Sequence, residues 1–359
     1  MIVVAYHTIL LILLSISLYH LRQHRPLMSL RRVVAALYLI GMIALIGTTG
    51  VAVAAGRFHA IRYLAYVVFV YIPLLLLGLS VLYGKRQWRW STGYALVSLV
   101  IIAIGIYAFF IEPWQLETNR FVIYTPKIER RLRIAIVADL QTDAVGTYEE
   151  NALRRVLSGH PDLILMTGDY IQQHHWDDYH REGRRLNAIL KRIDFRAPLG
   201  VYAVQGDTDK LGQWRTIFES TDVVTLLQRQ HFDLGDVVIT GLPLRDSRQL
   251  RITIGPQSKF HIVFGHAPDF SLGRVDADLL IAGHTHGGQV RLPFIGPLIT
   301  LSRVPRAHAA GLNRLDAQRT LIVSRGIGME RGSAPRLRFL CRPEIVFVDL
   351  VPALRSEHR

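Results

Sequence analysis

Apolar runs of two lengths divide the chain. Early on, four long segments are nearly free of charge: about Ile2–Leu18, Val33–Ala55, Tyr63–Tyr83 and Thr92–Ile111. A helix needs about 20 apolar residues to cross a bilayer, so the pattern predicts four membrane-spanning helices. Trp88, Trp90 and Trp114 stand near segment ends, where their amphipathic rings suit the interface. The first segment has no basic leader and is followed by the polar stretch His20–Arg25 rather than a small-residue cleavage site. It is expected to be a retained helix, not a signal peptide.

Beyond Trp114 the apolar runs shorten. Ile134–Ala138, Leu163–Thr167, Val201–Gln205, Phe260–Phe264 and Leu279–Ala282 have the length and continuity of strands buried on both faces. Two helices are expected between them: Tyr148–Gly159, with Leu153, Val156 and Leu157 on one face, and Tyr179–Ile193, with Leu186, Ile189 and Leu190. Strands alternating with helices, then a strand-rich second half, predict an α/β domain.

Each strand run ends on the same kind of chemistry. The ends carry Asp139 and Gln141, then Gly168-Asp169, Gly206-Asp207-Thr208-Asp209, Gly265-His266 and Gly283-His284-Thr285-His286. α/β folds build their sites at one end of such strands. A single Asp there is explained by a turn or a helix cap. Five ends carrying Asp, Gln and His point instead to a metal site. Alternate residues of an extended backbone face the same way, so His284 and His286 are expected to point together.

In order and spacing these motifs resemble those of the calcineurin-like metallophosphoesterases, in particular their membrane-associated bacterial branch. That family reads Asp-x-His, Gly-Asp, Gly-Asn-His-Asp/Glu, Gly-His or Ser-His, then Gly-His-Thr-His. The similarity continues through Gly287–Pro297, Val323–Gly328 and Arg338–Ile345, and covers about residues 130–350. It implies a four-layer αββα sandwich over residues 119–359, preceded by the four-helix transmembrane region over 1–118. It also implies two divalent ions, the first held by Asp139, Gln141, Asp169 and His286. The second would share Asp169 as a bridge and add Asp207, His266 and His284. In such a site a metal-bridging hydroxide attacks phosphorus in line.

Three positions depart from the family pattern. Gln141 stands where the family has His, and Asp207 where it has Asn. Both changes harden the ligand set, which favours manganese or magnesium over zinc, with iron also compatible. Thr208 replaces the His that protonates the leaving oxygen or binds phosphate. A hydroxyl donates a hydrogen bond but is no proton donor near pH 7. Losing a general acid typically lowers the rate by a factor on the order of a hundred to ten thousand. Thr208 and Asp209 are expected to line the leaving-group side. His174, His175 and His180 follow the Asp169 strand as possible substitutes, although a polar surface loop explains them more simply.

The function this predicts is hydrolysis of a phosphomonoester or phosphodiester, lipid-linked substrates included. The alternative is a catalytically weak domain that binds or senses a phosphorylated ligand. A transporter is disfavoured, because the apolar segments carry no buried acid.

Charge adds orientation. The chain carries a formal charge of +14, but residues 1–118 hold nine basic and two acidic side chains, leaving the domain at +7. No phosphate loop, zinc ribbon or aromatic RNA motif accompanies this, so no nucleic-acid partner is expected. A basic face toward anionic headgroups or a phosphorylated substrate is more economical. Arg22, Arg25, Arg31 and Arg32 mark the first loop, and Lys85, Arg86 and Arg89 the third. By the positive-inside tendency both loops are cytoplasmic and the metal domain lies outside a bacterial inner membrane. Arg120, Lys127, Arg130 and Arg131 vote the other way. Cys341 is the single cysteine, so an intrachain disulfide and a thiolate cluster are excluded.

Overall fold

The structure, a computed structural model, describes residues 2–23, 41, 47–50, 56–210 and 214–353. The chain divides into two compact units, Met1–Phe109 with Ser333–Pro335, and Phe110–Gly332 with Arg336–Arg359.

The first unit is helical. Ile2–Gln23 forms one helix. Arg57–Tyr83 and Trp88–Trp114 are long and apolar enough to cross a membrane, with mean hydropathies of 2.4 and 2.5. They hold the third and fourth predicted segments. The predicted span Val33–Ala55 falls almost wholly outside the described residues, and the first segment gives only a shorter apolar stretch, Tyr6–Tyr19, so among the described residues two spans of sufficient length are seen where four were expected.

The second unit is built on two six-stranded sheets. Strands β1 (Glu117–Thr125), β2 (Leu132–Val137), β3 (Leu163–Met166), β4 (Val201–Val204) and β5 (Val223–Leu226) join β16 (Glu344–Pro352) in the order β1-β16-β2-β3-β4-β5. Strands β2 to β5 run parallel, the arrangement that buries both faces. The second sheet uses β6 (Gln230–Asp233), β7 (Val237–Gly241), β9 (Phe260–Phe264), β11 (Leu279–Ala282), β14 (Gly311–Arg314) and β15 (Thr320–Val323), in the order β14-β15-β11-β9-β7-β6. Two short ribbons complete it: β8 (Thr253–Ile254) with β10 (Arg274–Val275), and β12 (Arg291–Leu292) with β13 (Gly296–Pro297).

Alternation along each strand sorts the core into layers. Ile134, Ile136, Leu163 and Leu165 meet Ile239, Ile262, Phe264 and Ile281 between the sheets. On the outer face of the first sheet, Ala135, Val137, Ile164 and Met166 pack under the helices Thr147–Ser158 and Trp176–Arg192, through Leu153, Val156, Leu186 and Leu190. The outer face of the second sheet is covered more thinly than the αββα expectation. Only the short turns Leu244–Ser247 and Pro268–Leu272 and the β8–β10 ribbon lie along those crossovers among the described residues. Pro243, Gly255, Pro256, Pro268 and Gly273 punctuate them, and neither residue type sustains a long helix.

Candidate metal centre

The parallel strands of both sheets deliver their polar ends to one place. Among the described residues, two groups have ligand atoms within 4.8 Å of one another: Asp139, Asp169 and His286, and Asp207, His266 and His284. Asp139 and Gln141 follow β2, Asp169 follows β3, Asp207 follows β4, His266 follows β9, and His284 and His286 follow β11. His266 Nε2 lies 3.5 Å from Asp169 Oδ2 and 3.5 Å from Asp207 Oδ2, so the Asp169 carboxylate borders both groups. His284 Nδ1 lies 3.1 Å from Asp207 Oδ2.

The backbone is bent to achieve this. Asp139, Gln141, Asp169, His284 and His286 all have positive φ, between 31° and 70°. Left-handed conformations of non-glycine residues are uncommon and gather at functional sites. The two histidines of the last motif are accordingly not neighbours on one strand face. The chain turns at Gly287, and the rings join different groups.

Hydrogen bonds fix the ligand orientations. The backbone N–H of His284 donates to both Asp139 oxygens at 3.1 and 3.0 Å. Thr208 N donates to Asp169 Oδ1 at 2.8 Å. His266 Nδ1 donates to the Thr167 carbonyl at 2.9 Å, and His284 Nε2 to that of Leu301 at 3.2 Å. Each imidazole thereby turns its other nitrogen, as a lone-pair donor, toward the acids.

The residues present fit a pair of divalent cations. Gln141 Oε1, Asp207 Oδ1, His266 Nε2 and His286 Nδ1 are buried without any hydrogen-bond partner. Buried polar atoms are nearly always paired, so four orphans converging with carboxylates call for a ligand. Asp139 and Asp169 are buried with no Lys or Arg partner among the described residues. Burial pushes the Asp139 carboxyl up to about 7, against the pull of His266. His266 rises to about 10 despite its burial, chiefly through the nearby carboxylates of Asp169 and Asp207. Burial, helped by the Arg338 charge, drives His286 well below the ordinary histidine range. A buried cluster that must borrow protons is short of positive charge, which a metal supplies.

Three partners of the ligands had no motif to announce them. Arg248 donates through Nη2 to Asp207 Oδ2. The charge that Asp207 adds relative to the family's Asn is thus matched by a guanidinium. Gln141 Nε2 donates to Gln172 Oε1 at 3.1 Å and to Glu330 Oε2 at 2.9 Å, which leaves Gln141 Oε1 free to face an ion. Nothing local in Leu244–Arg248 or Gly328–Glu330 signals these roles.

The leaving-group residues divide. Thr208 Oγ1 is buried and unbonded. Asp209 is fully buried, and its carboxylate accepts from the amides of Asp169 at 2.9 Å, Tyr170 at 3.0 Å and Gly206 at 2.8 Å. It ties the β3 and β4 loops together rather than facing the site. His174 and His175 are exposed, and His180 sets its ring edge against Trp176 at 4.6 Å. None of the three joins a ligand group. Cys341 is a packed residue, with Sγ donating to the His286 carbonyl at 3.2 Å.

No family model matches the chain. Curated relatives do. Phosphodiesterase YaeI of Escherichia coli is 38% identical over 206 residues, covering 53% of this chain and 71% of the relative. The uncharacterized metallophosphoesterase YkuE of Bacillus subtilis is 27% identical over 291 residues, covering 74% of this chain and 97% of the relative. YkoQ of the same organism, also an uncharacterized metallophosphoesterase, is 24% identical over 273 residues, covering 69% and 97%.

Proposed function

The chain belongs to the metallophosphoesterase family, and from that premise we propose a membrane-anchored, manganese-dependent phosphodiesterase of the family's membrane-associated bacterial branch. The anchor lies within about residues 1–118, and the metal domain, residues 119–359, faces the outside of the cell membrane. The observation that carries the reading is the set of four orphaned donors, Gln141 Oε1, Asp207 Oδ1, His266 Nε2 and His286 Nδ1. Asp139, Gln141, Asp169 and His286 would hold one ion, and Asp169, Asp207, His266 and His284 the other. When bound, such ions supply a nucleophile at neutral pH and offset charge on phosphorus.

The chain's own groups then divide the remaining work. His266 and His284 keep their tautomers through the Thr167 and Leu301 carbonyls. Arg248 contacts Asp207 from a half-exposed position, and no other side-chain hydrogen bond engages its guanidinium among the described residues, which suits it to an anionic phosphate oxygen. Thr208 offers a hydroxyl to the leaving oxygen but no proton, so the chemistry favours leaving groups that depart as stable anions. A diester with an activated leaving group meets that condition, and a lipid-linked ester suits the apolar helices.

The test is hydrolysis of an aryl phosphodiester and an aryl phosphomonoester by the full chain in detergent, after chelation and after manganese is restored. Manganese-restored turnover of the diester is expected. Metal uptake without turnover of either ester would favour a phospho-ligand sensor, a reading that the missing proton donor at Thr208 supports.

Gln141 gives a sharper prediction about the metal. Gln141→His restores an imidazole to the first group, and softer nitrogen ligation favours zinc. The ratio of zinc-supported to manganese-supported activity should rise roughly tenfold. An unchanged ratio, with metal content measured alongside, would show that Gln141 does not reach the ion.

A further inference from the structure

An apolar wedge stands beside the metal centre. The ribbon β12–β13 and the segment after it expose Phe294, Ile295, Leu298, Ile299 and Leu301, with Phe294 at the tip fully in solvent. Phe294 and Leu301 are also held at positive φ, 65° and 53°. Bulky residues there bear a conformational cost. Burial within this fold does not offset it, because both side chains are exposed.

The wedge is nonetheless firmly based. Gly288, at φ 88°, lets Pro297 pack against the chain just after His286. The Leu301 carbonyl accepts from the His284 ring at 3.2 Å. Ser302 Oγ and Arg303 N both donate to Asp269, at 3.0 and 2.9 Å. A loop anchored this well and capped with five exposed apolar side chains is shaped for an apolar partner. Arg303 and Arg306 flank it, exposed and without a carboxylate partner among the described residues. Unpaired cations beside an apolar tip are complementary to an anionic headgroup layer over hydrocarbon.

We propose that the wedge Leu292–Leu301 inserts into an anionic lipid surface, with Arg303 and Arg306 against the headgroups, so that the metal centre opens at the membrane. The proposal deepens the function above, since it supplies the lipid side of the same site. It explains how a substrate held in a bilayer would come within reach of His284 without leaving it.

The full chain carrying Phe294→Cys is labelled with an environment-sensitive maleimide and placed in nanodiscs of phosphatidylcholine, with or without phosphatidylglycerol. Cys341 is buried and stays unlabelled under native conditions. The expected result is a blue-shifted emission, quenched by doxyl-lipid and protected from iodide, in the anionic discs. A label at Leu227→Cys, also exposed, should remain in water. Adding Arg303→Gln and Arg306→Gln should lower the docked fraction ratio roughly thirtyfold, at about 1 kcal/mol per arginine. A label at 294 that iodide quenches freely in anionic discs overturns the proposal. So does a disulfide-linked dimer of Phe294→Cys, which would make a second copy the occupant. Hydrolysis of a soluble aryl diester in the same discs reports the metal centre separately, so failure of docking and failure of the function are told apart.

Discussion

Asp169→Asn should lower turnover of the aryl diester by well over a hundredfold and strip the protein of at least one ion. The size follows from position. Losing an outer partner of a metal ligand costs about 10–100-fold in affinity or activity, and Asp169 is a candidate ligand bordering both groups, 3.5 Å from His266 Nε2. Asparagine is chosen because it keeps an oxygen for the Thr208 amide, which donates to Asp169 Oδ1 at 2.8 Å, while removing the charge. The fold should therefore survive. Melting temperature, bound metal by elemental analysis and kcat/KM are measured together. A variant that is folded and fully loaded, with activity within tenfold of the parent, would remove Asp169 from the centre of the scheme.

Gly168→Ala should be strongly destabilising. Gly168 has φ 95°, and an added Cβ would collide with the backbone of Gln205 and Gly206. The neighbour cannot step aside, because Gly206 N is held at 2.8 Å by Asp209, which also holds Asp169 and Tyr170. Strain plus collision against fixed backbone is expected to reach about 3 kcal/mol or more. For a domain of this size that lowers the melting temperature by roughly 6–12 °C. Gly255→Ala is the control, since its position has open space and no positive φ, and it should change stability by less than about 0.5 kcal/mol. Equal melting of the two variants would show that the β3 and β4 loops are slack.

Much of this was legible in the letters because it is local. The runs Phe260–Phe264 and Leu279–Ala282 became strands with those bounds, and Leu163–Thr167 lost only its last residue. The helices begin slightly earlier than expected, at Thr147 and Trp176, because acidic residues at Glu149, Asp177 and Asp178 suit the first turn. The strand ends carrying the candidate ligands lie in two groups, Asp139, Asp169 and His286 in one and Asp207, His266 and His284 in the other. What stayed hidden depends on contacts far apart in sequence. Arg248 meets Asp207 across 41 positions, and Glu330 meets Gln141 across 189. Neither has a spacing rule. The extended-strand reading of His284 and His286 failed because both lie beyond the end of β11 and take positive φ, so the strand pleat no longer governs where they point.

Thr208 and Asp209 adjoin in sequence but are under opposite constraints. The threonine hydroxyl has no bond to lose, while the aspartate is committed to three amides. Chemistry and scaffolding are thereby uncoupled at adjacent letters. A designer could exchange the side chain at 208 for acids, bases or amides and retune which esters are cleaved, leaving the frame beneath it undisturbed.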